Sequence, residues 1–543
     1  MYKAPLTEYE KILKQFAENH PEYDMDTMVQ ILKAVSVFCE EALWPTNQIG
    51  DQEGLVYDPK TKSVTVSDSF HSVYKTLCEN GYASLALDQA YGGGGAPWVL
   101  HHLVAEMLAS SNLSLTTCPM LTNGALETLI KNASDELKAR YVSKMCQGVY
   151  SGTMCLTESQ CGTDLGLIKT TAKPHQDHYL LSGTKIWITF GEHDLSENIV
   201  HLVLAKTPNA PEGTKGISLF VVPKFLPDGT RNQVFCGGLE HKMGQKGSPT
   251  AVLNFEEAEG WLVGEEFSGM RAMFQMMNPA RIGVGVQGLG MAEVAYQQAL
   301  SFASQRRQSR SLDPKQQDHS HSADLILVHP DVRRMLMIIE STNIAMRKLI
   351  GLCSYHLDQG QEDFVGILTP IVKSYVTEQS MDNVSLAMQV MGGMGYVTDG
   401  LCEQYYRDGR ITMIYEGTNG IQGLDLIGRK IAKDGGKALS ELLATLPVTE
   451  PMQACIDQAN TYLLTHAGNP EEVAAIATDY LSLLALVIQS ALMVKDRSVD
   501  ENLLSFYQDY TLAEAQSFLN KILAGSSALM QYQKLNDILK DAQ

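Results

Sequence analysis

The sequence predicts an α+β fold made of consecutive blocks: a helical N-terminal domain, a middle domain of β-sheets or a barrel, a helical-bundle C-terminal domain and a helical extension. Two observations carry this prediction. The apolar period is helical up to about residue 150, becomes strand-like after Thr153, and is helical again from about residue 267. Closely spaced turn residues punctuate only the middle block. A chain of 543 residues is long enough to bury several cores. The expected ranges are 1–34 for an N-terminal helical extension, 35–152 for the helical domain, 153–266 for the β domain, 267–432 for the bundle and 437–543 for the C-terminal extension.

In the first block Met28, Ile31, Leu32, Val35 and Phe38 keep one helix face, as do Phe70, Val73, Tyr74 and Leu77, with Asn80-Gly81 as a stop signal. The glycine-rich run Tyr91–Pro97 reads as a tight connection between helices. The strands are signalled by Tyr179–Leu181, Lys185–Thr189, Ile199–Leu204 and Ile217–Val222. In the bundle Ile344, Met346, Leu349, Ile350 and Cys353 share a face. Gly283-Val284-Gly285-Val286-Gln287-Gly288 has glycines at suggestive spacing but lies inside a helical stretch, so it reads as close helix packing rather than a dinucleotide loop. In the extension Val473, Ile476, Ala477, Tyr480, Leu481, Leu484 and Val487 form a broad apolar stripe. From Lys437 onward there are six Lys/Arg against 13 Asp/Glu, and no catalytic constellation, which suits a packing or oligomer-contact module.

A net charge of −20 disfavours wrapping nucleic acid or an anionic membrane. No run of about 18 uninterrupted apolar residues occurs, so no transmembrane helix is expected. The N-terminal MYKAPLTEYEKILKQF carries charges where an export signal needs an apolar core, so a cytoplasmic location is expected. Ten scattered cysteines without a C-x-x-C pair read as free thiols of a reducing compartment. Asp318-His319-Ser320-His321 lies in a polar stretch that reads as a solvated loop, and no metal is expected.

Three segments carry the chemistry. Gly152–Gly166 alternates small polar residues with glycines, a composition that offers N–H and hydroxyl groups to a ligand. Lys185-Ile186-Trp187-Ile188-Thr189 puts an aromatic face and a hydroxyl on one side of a strand, where they could flank a flat heteroaromatic ring. Tyr415-Glu416-Gly417-Thr418-Asn419-Gly420 sets a lone carboxylate after an apolar run, a candidate base with a raised pKa. Taken singly, an exposed loop, a core tryptophan and a helix-start glutamate account for them equally.

Together these segments resemble the acyl-CoA dehydrogenase family over about 35–430. Met154–Asp164 looks like the family's first signature, and Trp187-Ile188-Thr189 like its flavin-contacting strand. Gln389–Tyr396, Arg407-Asp408 and Tyr415–Thr418 look like the second signature. The start Tyr2–Leu6 and the helical extension resemble a larger subgroup that includes enzymes acting on 3-methylthiopropionyl-CoA. The resemblance implies the acyl-CoA dehydrogenase fold and FAD, held non-covalently between the β domain and the bundle. It implies FAD contacts from Met154, Leu156, Thr157, Gly162, Thr163, Trp187, Ile188 and Thr189, with Thr418 and Asn419 closing over the cofactor of their own subunit. Arg306, Gln308, Gln389 and Gly393 are implied to reach the FAD of a neighbouring subunit, hence a homodimer or a dimer of dimers. Thr163, Asn278, Arg281, Tyr415 and Gly417 are implied to meet the acyl-CoA. An electron-transfer flavoprotein is the implied electron acceptor, and fatty acid β-oxidation the implied setting.

The implied reaction is α,β-dehydrogenation to the trans-2-enoyl-CoA. Glu416 takes the α proton and the β carbon gives up a hydride, which needs base and flavin on opposite faces of the acyl chain. The Glu416 N–H is implied to stabilise the developing oxyanion. Some relatives carry their base just before Arg281, but that position is Ala280 here, so Glu416 has no obvious rival. Alternatives are an acyl-CoA oxidase, a weakly active nucleic-acid-associated relative, for which the acidic extension is unfavourable, and a flavin-binding scaffold without turnover.

Overall fold

The computed structural model describes residues 2–18 and 20–542. The chain forms two compact units, residues 1–283 with 403–411, and 284–402 with 412–543.

The first unit opens with α1 (Leu6–Ala17), α2 (Met25–Phe38) and α3 (Pro45–Glu53). Asp24 caps α2 by accepting from the N–H groups of Asp26 and Thr27, and Met28, Leu32, Val35 and Phe38 form its buried face. A hairpin, β1 (Val56–Asp58) and β2 (Ser63–Thr65), interrupts a domain whose periodicity reads as wholly helical. Strands of three residues are too short to show a period. Then come α4 (Asp68–Glu79), α5 (Trp98–Asn132) and α6 (Asp135–Cys146). The glycine run before α5 is the tight connection expected: a Cβ on Gly93 would lie 2.2 Å from the Leu87 carbonyl oxygen. The long α5 is buried almost all round and kinks at Asn112, whose side chain donates to Thr46 Oγ1 (2.9 Å) and accepts from the Leu115 N–H (3.0 Å).

The middle strands are β3 (Tyr150–Cys155), β4 (Thr171–His175), β5 (His178–Thr189), β6 (Asn198–Lys206), β7 (Ile217–Pro223), β8 (Val234–Leu239) and β9 (Thr250–Leu262). They pair in the order β3-β6-β4-β5-β9-β7, with β8 on β9. Pairing of β6 with β7 closes the path into a barrel. β7 is buried throughout and β6 nearly so, because alternate residues serve two cores. Val203, Ala205, Phe220 and Val222 fill the barrel, while Val200, Leu202, Leu204, Leu219 and Val221 pack with Leu126 and Leu129 of α5. The first barrel strand thus starts three residues before the expected boundary at 153.

Within the range 267–432 the two compact units interleave. Residues 403–411 belong with the first, held there by Arg407, which forks onto Asp51 of α3 with N–O distances of 2.8 and 2.7 Å. Asp408 is buried beside them and accepts the Gln245 N–H.

The helix α7 (Gly269–Ala303) contributes its residues from Val284 onward to the second unit. That unit contains α8 (Pro330–Asp358), α9 (Glu362–Ile371), α10 (Thr377–Met391) and α11 (Gly393–Tyr396). After α12 (Cys402–Gly409) come α13 (Asn419–Asp425), α14 (Ala432–Asp434), α15 (Lys437–Ala444), α16 (Glu450–His466), α17 (Pro470–Lys495), α18 (Glu501–Ala524), α19 (Ser527–Met530) and α20 (Gln533–Ala542). The run Gly283–Gly288 is helix packing: a Cβ on Gly285 would lie 2.6 Å from the Val372 side chain. Ser341, Thr342, Asn343, Arg347 and Glu293 are buried, and Arg347 bonds Glu293 at 2.9 Å. The extension is no separate domain, since α17 packs on α8, α13 and α18. Among the described residues α17 is the one helix long and apolar enough to cross a membrane, and 72% of that window is buried in the protein, which makes it a core helix.

Candidate active site

The first unit supplies a loop and a bulged strand. Between the pairs Lys185↔Leu253 and Ile188↔Ala251, Ile186 and Trp187 stand opposite Val252 alone. The extra residue makes a β-bulge, and Trp187 takes a left-handed backbone, φ 63°. The bulge turns the indole outward, 56% exposed on a strand whose neighbours are mostly covered. Thr189 follows on the same side, half-buried. Ile188 points the other way into the barrel core.

The loop after β3 is bolted to this strand. The Lys185 ammonium, fully buried, donates to the Leu156 carbonyl and to Glu158, both at 2.9 Å. Glu158 also accepts from the N–H of Lys169 (2.7 Å), and from the N–H and hydroxyl of Thr170 (3.0 and 2.6 Å). Burial alone would push the Glu158 carboxyl up, but Lys185 and these hydrogen bonds outweigh it and hold the group down at about 2. Burial pulls the Lys185 ammonium down, and the 2.9 Å contact opposes that. The Ile186 N–H takes the Thr157 carbonyl (3.0 Å). Met154, Leu156 and Thr157 are half-buried, while Gly162 and Thr163 are exposed on the turn that follows. On α7, Asn278 is half-buried and Arg281 buried.

The second unit supplies a turn and a helix start. Glu416 and Gly417 both have left-handed backbones, φ 55° and 87°. For a non-glycine residue this costs roughly 1–3 kcal/mol and persists only where surroundings enforce it. Gln422 of α13 lies against this turn, and its side-chain amide donates to the carbonyls of Glu416 and Gly417, each at 3.3 Å. The Tyr415 hydroxyl donates to Gln287 Oε1 on α7. Glu416, Tyr415 and Gly417 are half-buried, and Thr418 is exposed as the N-cap of α13 without a side-chain capping bond. Asn419 follows, at the first position of α13. Its side chain is buried, accepting from Lys373 (2.9 Å) and donating to the Ser374 carbonyl (3.1 Å), Thr377 (3.2 Å) and Glu378 (3.2 Å). These contacts anchor the start of α13 to the bundle. Burial raises the Glu378 carboxyl. Arg306, Gln308, Gln389 and Gly393 are all exposed.

Asp318 pairs with Arg307 (3.0 Å) and His321 (2.8 Å), closing its loop. Among the described residues no group of three or more His, Cys, Asp and Glu is arranged to hold a metal.

Sequence profiles of the acyl-CoA dehydrogenase N-terminal, middle and C-terminal domains match residues 26–149, 153–258 and 268–432. The 3-methylmercaptopropionyl-CoA dehydrogenase of Ruegeria pomeroyi is 43% identical over 449 residues, 80% of this chain and 75% of that one. The chain belongs to the acyl-CoA dehydrogenase family. It is an oxidoreductase of that family, whose members are typically FAD-dependent and dehydrogenate acyl-CoA. A butyryl-CoA dehydrogenase of Syntrophomonas wolfei is 33% identical over 516 residues, 87% of this chain and 84% of its own. The fold recurs in the acyl-CoA dehydrogenase of Bacillus anthracis solved with FAD, at a TM-score of 0.75 and 21% identity, over 96% of this chain and 92% of that one. The helices beyond residue 432 lie outside the three family domains.

Sequence reasoning missed Gln422, Gln287 and the pairing of Lys185 with Glu158. The only signal for the first was a glycine directly after the carboxylate, which marks a left-handed turn in need of a brace.

Proposed function

We propose that this enzyme is an FAD-dependent acyl-CoA dehydrogenase that converts an acyl-CoA thioester to the trans-2-enoyl-CoA with Glu416 as the base. The observation that carries the proposal is Glu416 itself: a half-buried carboxylate on a strained, braced turn at the position of the family's second signature.

The residues fit a flavin. The outward Trp187 ring offers a flat apolar face, Thr189 a hydroxyl for the ring edge, and the Met154–Thr157 loop is rigidly tied to the same strand. When bound, FAD supplies the acceptor for the hydride lost by the β carbon. Glu416 takes the α proton, and its N–H stabilises the thioester oxygen as charge develops there. The left-handed turn fixes where the carboxylate starts, which limits the motion needed for proton transfer. Tyr415, held by Gln287, shapes the wall next to the base, and Arg281, Asn278, Gly417 and Thr163 contribute to acyl-CoA binding. Thr418 closes over the cofactor of its own subunit. The exposed Arg306, Gln308, Gln389 and Gly393 contact FAD of a second copy, making the working enzyme a homodimer or a dimer of dimers. Electrons pass to an electron-transfer flavoprotein, and the enzyme works in the cytoplasm.

The test is anaerobic titration of the flavoprotein with an acyl-CoA panel, followed by flavin absorbance. The names of the relatives put 3-methylmercaptopropionyl-CoA and butyryl-CoA first. Bleaching by at least one thioester is expected, and no bleaching at any chain length overturns the reading. Peroxide formed stoichiometrically in air would assign an oxidase instead.

A further inference from the structure

Gln422 is 0% exposed, yet it is a polar side chain in the middle of a helix that packs on α17. Its two ends fare differently. The amide nitrogen spends both hydrogens on consecutive carbonyls, those of Glu416 and Gly417. The amide oxygen is buried with no hydrogen-bond partner among the described residues. An orphaned buried acceptor costs stability, so a thioether or aliphatic side chain of similar size would suit the core better. What such a residue could not do is hold the two carbonyls that define the left-handed turn at residues 416 and 417.

The geometry points to Gln422 as a positioning residue for the base: its donor pair sets the aim of the Glu416 carboxylate, and its value lies in rate, not in stability. This rests on Glu416 being the base. Gln422 touches backbone and no reacting atom, so it acts only through the turn. Both bonds are long, 3.3 Å, so neither is strong alone, and together they restrain two adjacent peptide planes. Freed of them, the turn can relax away from the left-handed region, and the carboxylate moves with it. A displacement of about 1 Å at a proton-transfer site is enough to cost roughly 100-fold in rate.

The experiment compares wild type, Gln422→Met, Gln422→Glu and Glu416→Gln as flavin-loaded enzymes by rapid anaerobic mixing with the best thioester of the panel. For Gln422→Met, flavin reduction should slow about 10–100-fold. Flavin content and the half-saturating thioester concentration should stay within about twofold, and the Tm should hold or rise. A reduction rate within about twofold of wild type, or a slowing matched by loss of Tm and flavin, overturns the proposal. Gln422→Glu keeps the side-chain shape and is compared at matched Tm and flavin content. Its neutral acid donates one hydrogen bond and its anion none, so its rate relative to wild type should climb as pH falls; a flat ratio overturns the proposal. Glu416→Gln separates the two levels. If it reduces flavin normally, the base assignment fails; if it is inert while Gln422→Met runs at full speed, only the positioning role fails.

Discussion

Trp187 and Glu416 sit in different units, one on a barrel strand and one before a helix, yet both are non-glycine residues with left-handed backbones. They are held by opposite means. The Trp187 bulge lies within a paired strand, and the loop beside it is fastened by the buried Lys185–Glu158 ion pair and by four further hydrogen bonds to Glu158. The Glu416 turn has no strand pairing, and its backbone is braced by two long bonds from one amide. A rigid shelf suits a residue that only has to stack. On the proposal that Glu416 is the base, its turn would suit a group that must approach a proton, release it and return. The difference teaches that strain at a site does not imply one kind of support: what the side chain must do decides how firmly it is held.

Breaking the lightly braced side should have the largest effect on chemistry. Glu416→Gln is expected to slow flavin reduction by roughly 10²–10⁴-fold while the protein stays yellow, checked by single-turnover absorbance. Breaking the rigid side should instead be felt as stability. Lys185→Met leaves a buried carboxylate unpaired and should cost about 3–5 kcal/mol, read from the shift of the denaturation midpoint, with flavin lost in parallel. A milder version uses acid. The folded Glu158 carboxyl sits near 2, below its ordinary value of 4.5, so its contribution is complete above about 4.5 and fades as pH falls towards 2. Wild type should therefore lose more stability across that window than Glu158→Gln, which has no such group to protonate. The smallest effect concerns the backbone. At φ 63°, Trp187→Gly should be more stable than Trp187→Ala by about 1 kcal/mol, the reverse of the usual order of these residues in a strand; parallel melts of the two variants show the sign.

The order of blocks, the barrel strands and the family resemblance were legible because each rests on local pattern: a change of period, turn residues, a signature. What pattern could not show was side-chain direction at bulges and burial within the bundle. Ile188 lies in a segment that resembles a flavin-contacting strand, but the bulge is invisible in the letters and the residue faces the core. Asn419 follows the carboxylate by three residues, but its amide answers to Lys373, Ser374, Thr377 and Glu378, all more than 40 positions away. Glu416 was found from its neighbours and its motif, whereas its brace required knowing that residue 422 folds back on the turn.

The return of residues 403–411 to the first unit has a consequence for biogenesis. While the chain leaves the ribosome, the barrel and its helices emerge early, but the Arg407 clamp on Asp51 cannot form until residues 284–402 have also been made. At roughly 5–20 residues per second that is a wait of about 6–24 s. Through that interval Asp51 stands without its arginine, and a nascent product truncated before residue 403 never acquires it.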